Sequence, residues 1–211
     1  MELETLLQRP ESQRDNQWEQ DFLTQFSGTN VHVDGDQAKV GPDGWPYLFV
    51  RTGADATEPA HKVVQWLAGR GIGLAVNAHK MIPDYIFPYG MLWNFVETGR
   101  FLHPEPKTRT AGEVSYTNGV ITGPPSEKYL PPYVRDTIRE FLRAQGFTTP
   151  RVLVVSSKDF DEVDLVLSVN SLAGLERKEH QAFADRVAWF LPLHYTLVLG
   201  DEAGLPPFSP L

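Results

Sequence analysis

The stretch Thr57-Glu-Pro-Ala-His-Lys-Val-Val-Gln-Trp-Leu-Ala-Gly-Arg-Gly-Ile-Gly-Leu-Ala-Val76 decides the fold, because its hydrophobic period changes partway along. Val63, Val64, Trp66 and Leu67 lie on one side of a helix that Thr57 can cap and Gly69 can end, and Ile72 to Val76 then reads as a buried strand. Upstream, Tyr47–Leu48–Phe49–Val50 is a second aromatic and β-branched strand, and Val31 and Val33 alternate with His32 in a third. Asp34–Gly35–Asp36 turns the chain towards Lys39–Val40, a hairpin arm. Before these, Trp18, Phe22 and Phe26 recur every four residues in a helix expected from about Pro10 to Phe26, with Gly28 as its stop.

The same order returns downstream. A helix is expected from about Pro132 to Gln145, strands at Val152–Val155 and Asp164–Val169, a long helix from about Glu176 to Leu191, and a last strand at Tyr195–Leu199. The fold class is therefore α+β, with an internal duplication of a helix–strand–strand–helix–strand unit. Phe22–Leu23 matches Phe141–Leu142, and Trp66–Leu67 matches Trp189–Phe190; each tryptophan precedes a strand leucine, Leu74 or Leu197, by eight residues. On this reading Trp66 and Trp189 are core residues, and replacing either by alanine costs about 3–5 kcal/mol.

Three regions result, with one compact domain as the alternative: a first repeat over 1–78, a central segment over 79–131, and a second repeat with an extended tail over 132–211. The central segment contains a hairpin centred on Asn118–Gly119, whose residues accept the positive φ of a type I′ turn. His103 to Arg109 reads as a charged, proline-rich linker, and Gly204 to Leu211 contains too much proline for a helix.

Composition narrows the function. The chain of 211 residues is 41% hydrophobic, has a formal net charge of -8 and contains no cysteine. Disulfides, thiolate metal ligation and thiol nucleophiles are excluded. An acidic surface is unsuited to phosphate backbones or anionic lipid, so neither nucleic acid nor membrane is expected as partner. The acidic, polar start lacks the pattern of a secretory signal, no apolar run reaches membrane-spanning length, and a cytoplasmic location is expected.

Chemical motifs are few. Gly69-Arg-Gly-Ile-Gly73 follows a helix and leads into a strand, the reverse of a phosphate-binding loop. Asp34-Gly-Asp36 lacks the remaining ligands of a calcium loop, and Ser156–Ser157 lacks the glycines of a nucleophile elbow. Asp159, Asp161, Glu162 and Asp164 read as a charged turn between strands. None of the six histidines has metal-binding spacing, so neither metal nor cofactor is expected. His79 and His103, with Asp84 and Glu97, are the catalytic candidates, because two imidazoles and two carboxylates could assemble an acid–base site.

The segment from Met81 to Val96 holds five aromatics in sixteen residues and almost no charge. Tyr85, Phe87, Tyr89 and Trp93 cannot all be buried along one extended strand that alternates faces, so some are expected at a contact surface. Trp93→Ala is then expected to weaken binding and leave the fold intact. These features point to a noncatalytic protein-binding, adaptor or inhibitor-type module whose partner is another protein. The alternatives are a small hydrolase-type enzyme built on His79 and His103, and a small-molecule-binding protein.

Overall fold

The computed structural model describes residues 2–103, 120–157 and 163–211. The chain forms two compact units, Met1–Phe101 and Leu102–Leu211, each α+β with its own sheet.

The first unit opens with α1 (Leu3–Leu7), a 3-10 turn at Glu11–Gln13 and α2 (Asn16–Ser27). The helix expected from Pro10 begins later because the Asp15 side chain caps it, accepting the Trp18 amide at 2.9 Å. Trp18, Phe22 and Phe26 stack along its buried face, with ring centroids 5.1 and 5.6 Å apart. Then follow β1 (Asn30–Val33), β2 (Lys39–Val40), β3 (Pro46–Arg51), β4 (Glu58–Pro59), α3 (Ala60–Ala68), β5 (Gly73–Val76), β6 (Tyr85–Phe87) and α4 (Tyr89–Thr98). Pairing runs β4-β1-β3-β5-β6, with β2 on β3. β1 is antiparallel to β3, and β3 is parallel to β5. Thr57 does not cap α3, since Glu58 and Pro59 are drawn into a short strand beside β1.

One glycine in this sheet is a packing requirement. A Cβ on Gly73 would lie 2.6 Å from the Tyr47 ring and 2.8 Å from the Phe87 carbonyl oxygen. The ring is held there by its hydroxyl, which donates to Asp43 Oδ2 at 2.7 Å.

The second unit contains β7 (Val120–Gly123), α5 (Pro132–Ala144), β8 (Arg151–Ser157), β9 (Val163–Ser168), α6 (His180–Ala188), β10 (Thr196–Gly200) and β11 (Ser209–Pro210). The long helix expected from Glu176 is divided, its first turn being a 3-10 segment at Arg177–Glu179. β8 and β9 are antiparallel, β9 and β10 parallel, and the other edge of β8 takes both β7 and β11. The extended tail therefore pairs with the sheet, and Leu211 buries its side chain there.

Both units thus hold a helix, two antiparallel strands, a helix and a strand parallel to the second. The matched leucines sit at comparable places: Leu74 opposite Leu48, and Leu197 opposite Leu165. Neither matched tryptophan is a fully buried core residue as expected: Trp66 is 45% exposed and Trp189 is half-buried. Shared order and pairing do not establish a duplication.

The described parts of the segment 79–131 are divided between the two units. Its first part supplies β6 and α4 to the first unit, and β7 pairs with β8 in the second. The Asn118–Gly119 turn, the linker after His103 and the acids Asp159, Asp161 and Glu162 lie outside the described residues.

Candidate functional site

The four aromatic residues expected at a contact surface pack inside the first unit. Phe87, Tyr89 and Trp93 are almost fully buried, and Tyr85 is largely covered. Pro88 is the reason. It ends the strand and starts a helix, so the segment does not alternate faces throughout. Tyr85 and Phe87, two apart in β6, share a strand face and meet the Phe22 ring at centroid distances of 4.9 and 6.2 Å. Tyr89 and Trp93, four apart in α4, share a helix face, and the Tyr89 hydroxyl donates to the Ala68 carbonyl at 2.6 Å. The Tyr85 hydroxyl donates to Glu19 Oε1 at 2.5 Å, and burial together with that carboxylate pushes its pKa well up. These residues pack in the core of the first unit, with Tyr85 at its edge.

The four catalytic candidates have different surroundings. His79 is exposed after β5, and Glu97 is exposed in the last turn of α4. His103 belongs to the second unit, its ring 4.8 Å from that of His194. Asp84 alone is buried, at the carboxyl ends of β3 and β5, within partners that the sequence reading missed. Its Oδ1 accepts from Arg14 Nη2 at 2.9 Å, and its Oδ2 accepts from Asn77 Nδ2 at 2.7 Å and Lys80 Nζ at 2.5 Å. Arg14 also donates to the carbonyls of Asp84, Leu7 and Arg9 and stacks over Trp18. Asn77 has a positive φ of 56°, held by bonds to both the amide and the hydroxyl of Thr52. Burial would raise the Asp84 pKa, but hydrogen bonds from Lys80, Asn77 and Arg14 and the Lys80 charge hold it below the ordinary carboxylate range. A general base works best with a pKa near the working pH. This carboxylate is fitted to holding chain segments together, and the hydrolase reading gains no support from it. Among the described residues no group of three or more histidine or acidic side chains could hold a metal.

An open cleft lies elsewhere in the first unit. It encloses about 420 Å³ between the sheet and α3, with Val33, Leu48 and Val63 as its floor and Trp66 as a wall. Gly35 and Asp36 of the β1–β2 turn close one side, with Glu58 and Lys62 on the rim. Trp66 is positioned by Arg70, whose guanidinium carbon lies 4.0 Å from the ring centroid and whose Nη1 donates to the Trp66 carbonyl at 2.8 Å. Helical spacing had assigned Trp66 to the core. The helix in fact buries Val63, Val64 and Leu67 and leaves Trp66 at the boundary. The cleft left no sequence signal, since its parts come from a turn, three strands and a helix.

Among the described residues no helix is long and apolar enough to cross a membrane. Comparison with models of protein families, with curated proteins and with solved structures finds no match to this chain.

Proposed function

We propose that this chain is a noncatalytic protein-binding module and that it holds an apolar side chain of its partner in the Trp66 cleft. The observation that carries this reading is a large indole, 45% exposed and held in place by Arg70, over an apolar floor. Tryptophan in a partly enclosed apolar site is the residue type most often dominant in protein contacts. The whole chain is acidic, with a formal net charge of -8, so a partner segment with a basic residue beside its apolar anchor is favoured. The absence of cysteine from the sequence supports a reducing compartment such as the cytoplasm.

Selection from a randomised peptide display library tests this. Peptides pairing a basic residue with a large apolar one should be enriched on the wild-type chain. Trp66→Ala should weaken their binding about thirtyfold, the scale of a contact hot spot. Its thermal stability should change by no more than about 1 kcal/mol, since Trp66 is half exposed. Equal retention of the selected peptides by Trp66→Ala would defeat the proposal, as would a selection that enriches nothing.

A further inference from the structure

The second unit carries a segment of its own chain seated along its sheet. One edge of β8 is shared between two short strands: β7 takes residues 154–157, and β11 takes Arg151 and Val152. Stripped of β11, that part of the edge would offer backbone donors and acceptors to any extended chain. Ser209 and Pro210 pair antiparallel with Val152 and Arg151. The Leu211 amide then donates to the Pro150 carbonyl at 3.0 Å, and Arg139 Nε of α5 donates to the Leu211 carbonyl at 2.7 Å. The Leu211 side chain is 4% exposed, whereas Pro206 and Pro207, earlier in the same segment, are exposed. The turn before these prolines is anchored separately. The Glu202 amide donates to Asn170 Oδ1 at 2.9 Å, and the Glu202 carboxylate lies 2.8 Å from Arg151 Nη2.

We infer that the groove between α5 and the start of β8 is a peptide-binding site occupied by the chain's own tail, and that it accepts in trans an extended peptide whose aliphatic residue follows a proline. This goes beyond the Trp66 cleft and does not depend on it. The occupant seen in the structure defines the ligand. Main-chain pairing to a sheet edge supplies affinity, and a buried side-chain position supplies selectivity. Arg139, itself paired with Asp136, grips a main-chain oxygen, so choice among peptides falls to the covered site of Leu211. Proline at the preceding position suits an edge strand because it has no N–H to offer a further strand. Its fixed φ also lowers the cost of ordering the peptide. A docking segment of three residues is weak by itself. It is held because the turn at Glu202 keeps it near the groove, where a short tether gives an effective concentration in the millimolar range. Release of the tail leaves that turn in place, since its anchors are Asn170 and Arg151 and not the groove.

Leu211→Asp in the full chain puts a charge at the covered position and frees the groove. The probe is a fluorescein-labelled peptide of residues 204–211, Gly-Leu-Pro-Pro-Phe-Ser-Pro-Leu, followed by fluorescence anisotropy. It should bind the Leu211→Asp chain with a dissociation constant on the order of 100 µM. The wild-type chain should bind it at least about tenfold more weakly, because the attached tail competes. Adding Arg139→Ala to Leu211→Asp should weaken binding about tenfold, the loss of one charge-assisted hydrogen bond. A peptide that itself carries Leu211→Asp should not bind. Thermal unfolding establishes that each variant is folded, and Leu211→Ala replaces Leu211→Asp if the latter is not. Equal binding by the wild-type and Leu211→Asp chains overturns the inference. So does a Leu211→Asp chain that binds nothing at about 1 mM peptide, or binding that Arg139→Ala leaves unchanged.

Discussion

Trp93→Ala should lower the stability of the first unit by about 3–5 kcal/mol, the cost of emptying a fully buried aromatic site. Trp93 is 1% exposed in α4, on the same helix face as Tyr89, and helices α3 and α4 pack closely together. For a unit of about 100 residues the lower limit corresponds to a fall of on the order of 12 °C in the melting midpoint. Thermal unfolding followed by circular dichroism measures it. A variant that melts with the wild type would show that Trp93 is no part of this core. The result reverses the expectation from sequence, in which Trp93 was the exposed anchor and Trp66 the core residue.

Asp84→Ala should cost about 3 kcal/mol at pH 7, because it leaves the Arg14 guanidinium buried without its anion. Backbone carbonyls of Leu7, Arg9 and residue 84 remain to Arg14, which places the value at the low end of the range for broken buried pairs. Lys80→Ala should cost no more than about 1 kcal/mol, since that side chain is largely solvated. The pH dependence follows from the depressed carboxyl pKa. A group whose folded pKa lies below its unfolded value, near 4 for aspartate, contributes its full stabilisation above that unfolded value. The contribution is lost as pH falls through the lower folded value. The difference between wild type and Asp84→Ala should therefore be fully present at neutral pH and shrink below about pH 4. Urea unfolding of both chains at neutral and acid pH tests this, and a pH-independent difference would remove Asp84 from the ionic network.

The elements of each unit were legible where one period governed a long run. The helix carrying Trp18, Phe22 and Phe26, the Tyr47–Val50 strand and the strand after Gly69 all occur close to their expected positions. Legibility failed where the period changed within a few residues. Across Pro88 the spacing that buries residues changes from two to four, which a purely extended reading does not allow for. Trp66 and Leu67 are adjacent, and period alone cannot say which of two neighbours is at the edge of the buried face. The Asp84 network was invisible for a different reason: Arg14 and Asp84 are seventy positions apart in sequence, and their meeting depends on the completed sheet. The cleft is equally non-local. Composition, by contrast, bore on what could be excluded, since chemistry that needs a thiol needs a cysteine somewhere in the chain.

The contact between Tyr47 and Gly73 bears on how relatives of this protein could be found. Any side chain at position 73 would have to occupy the space of the Tyr47 ring and approach the Phe87 carbonyl. Divergent sequences can exchange most core residues for others of similar volume, but this position cannot drift alone. A glycine at the start of the strand after α3, paired with a large aromatic opposite it on β3, is thus a two-position signature that should outlast overall sequence similarity.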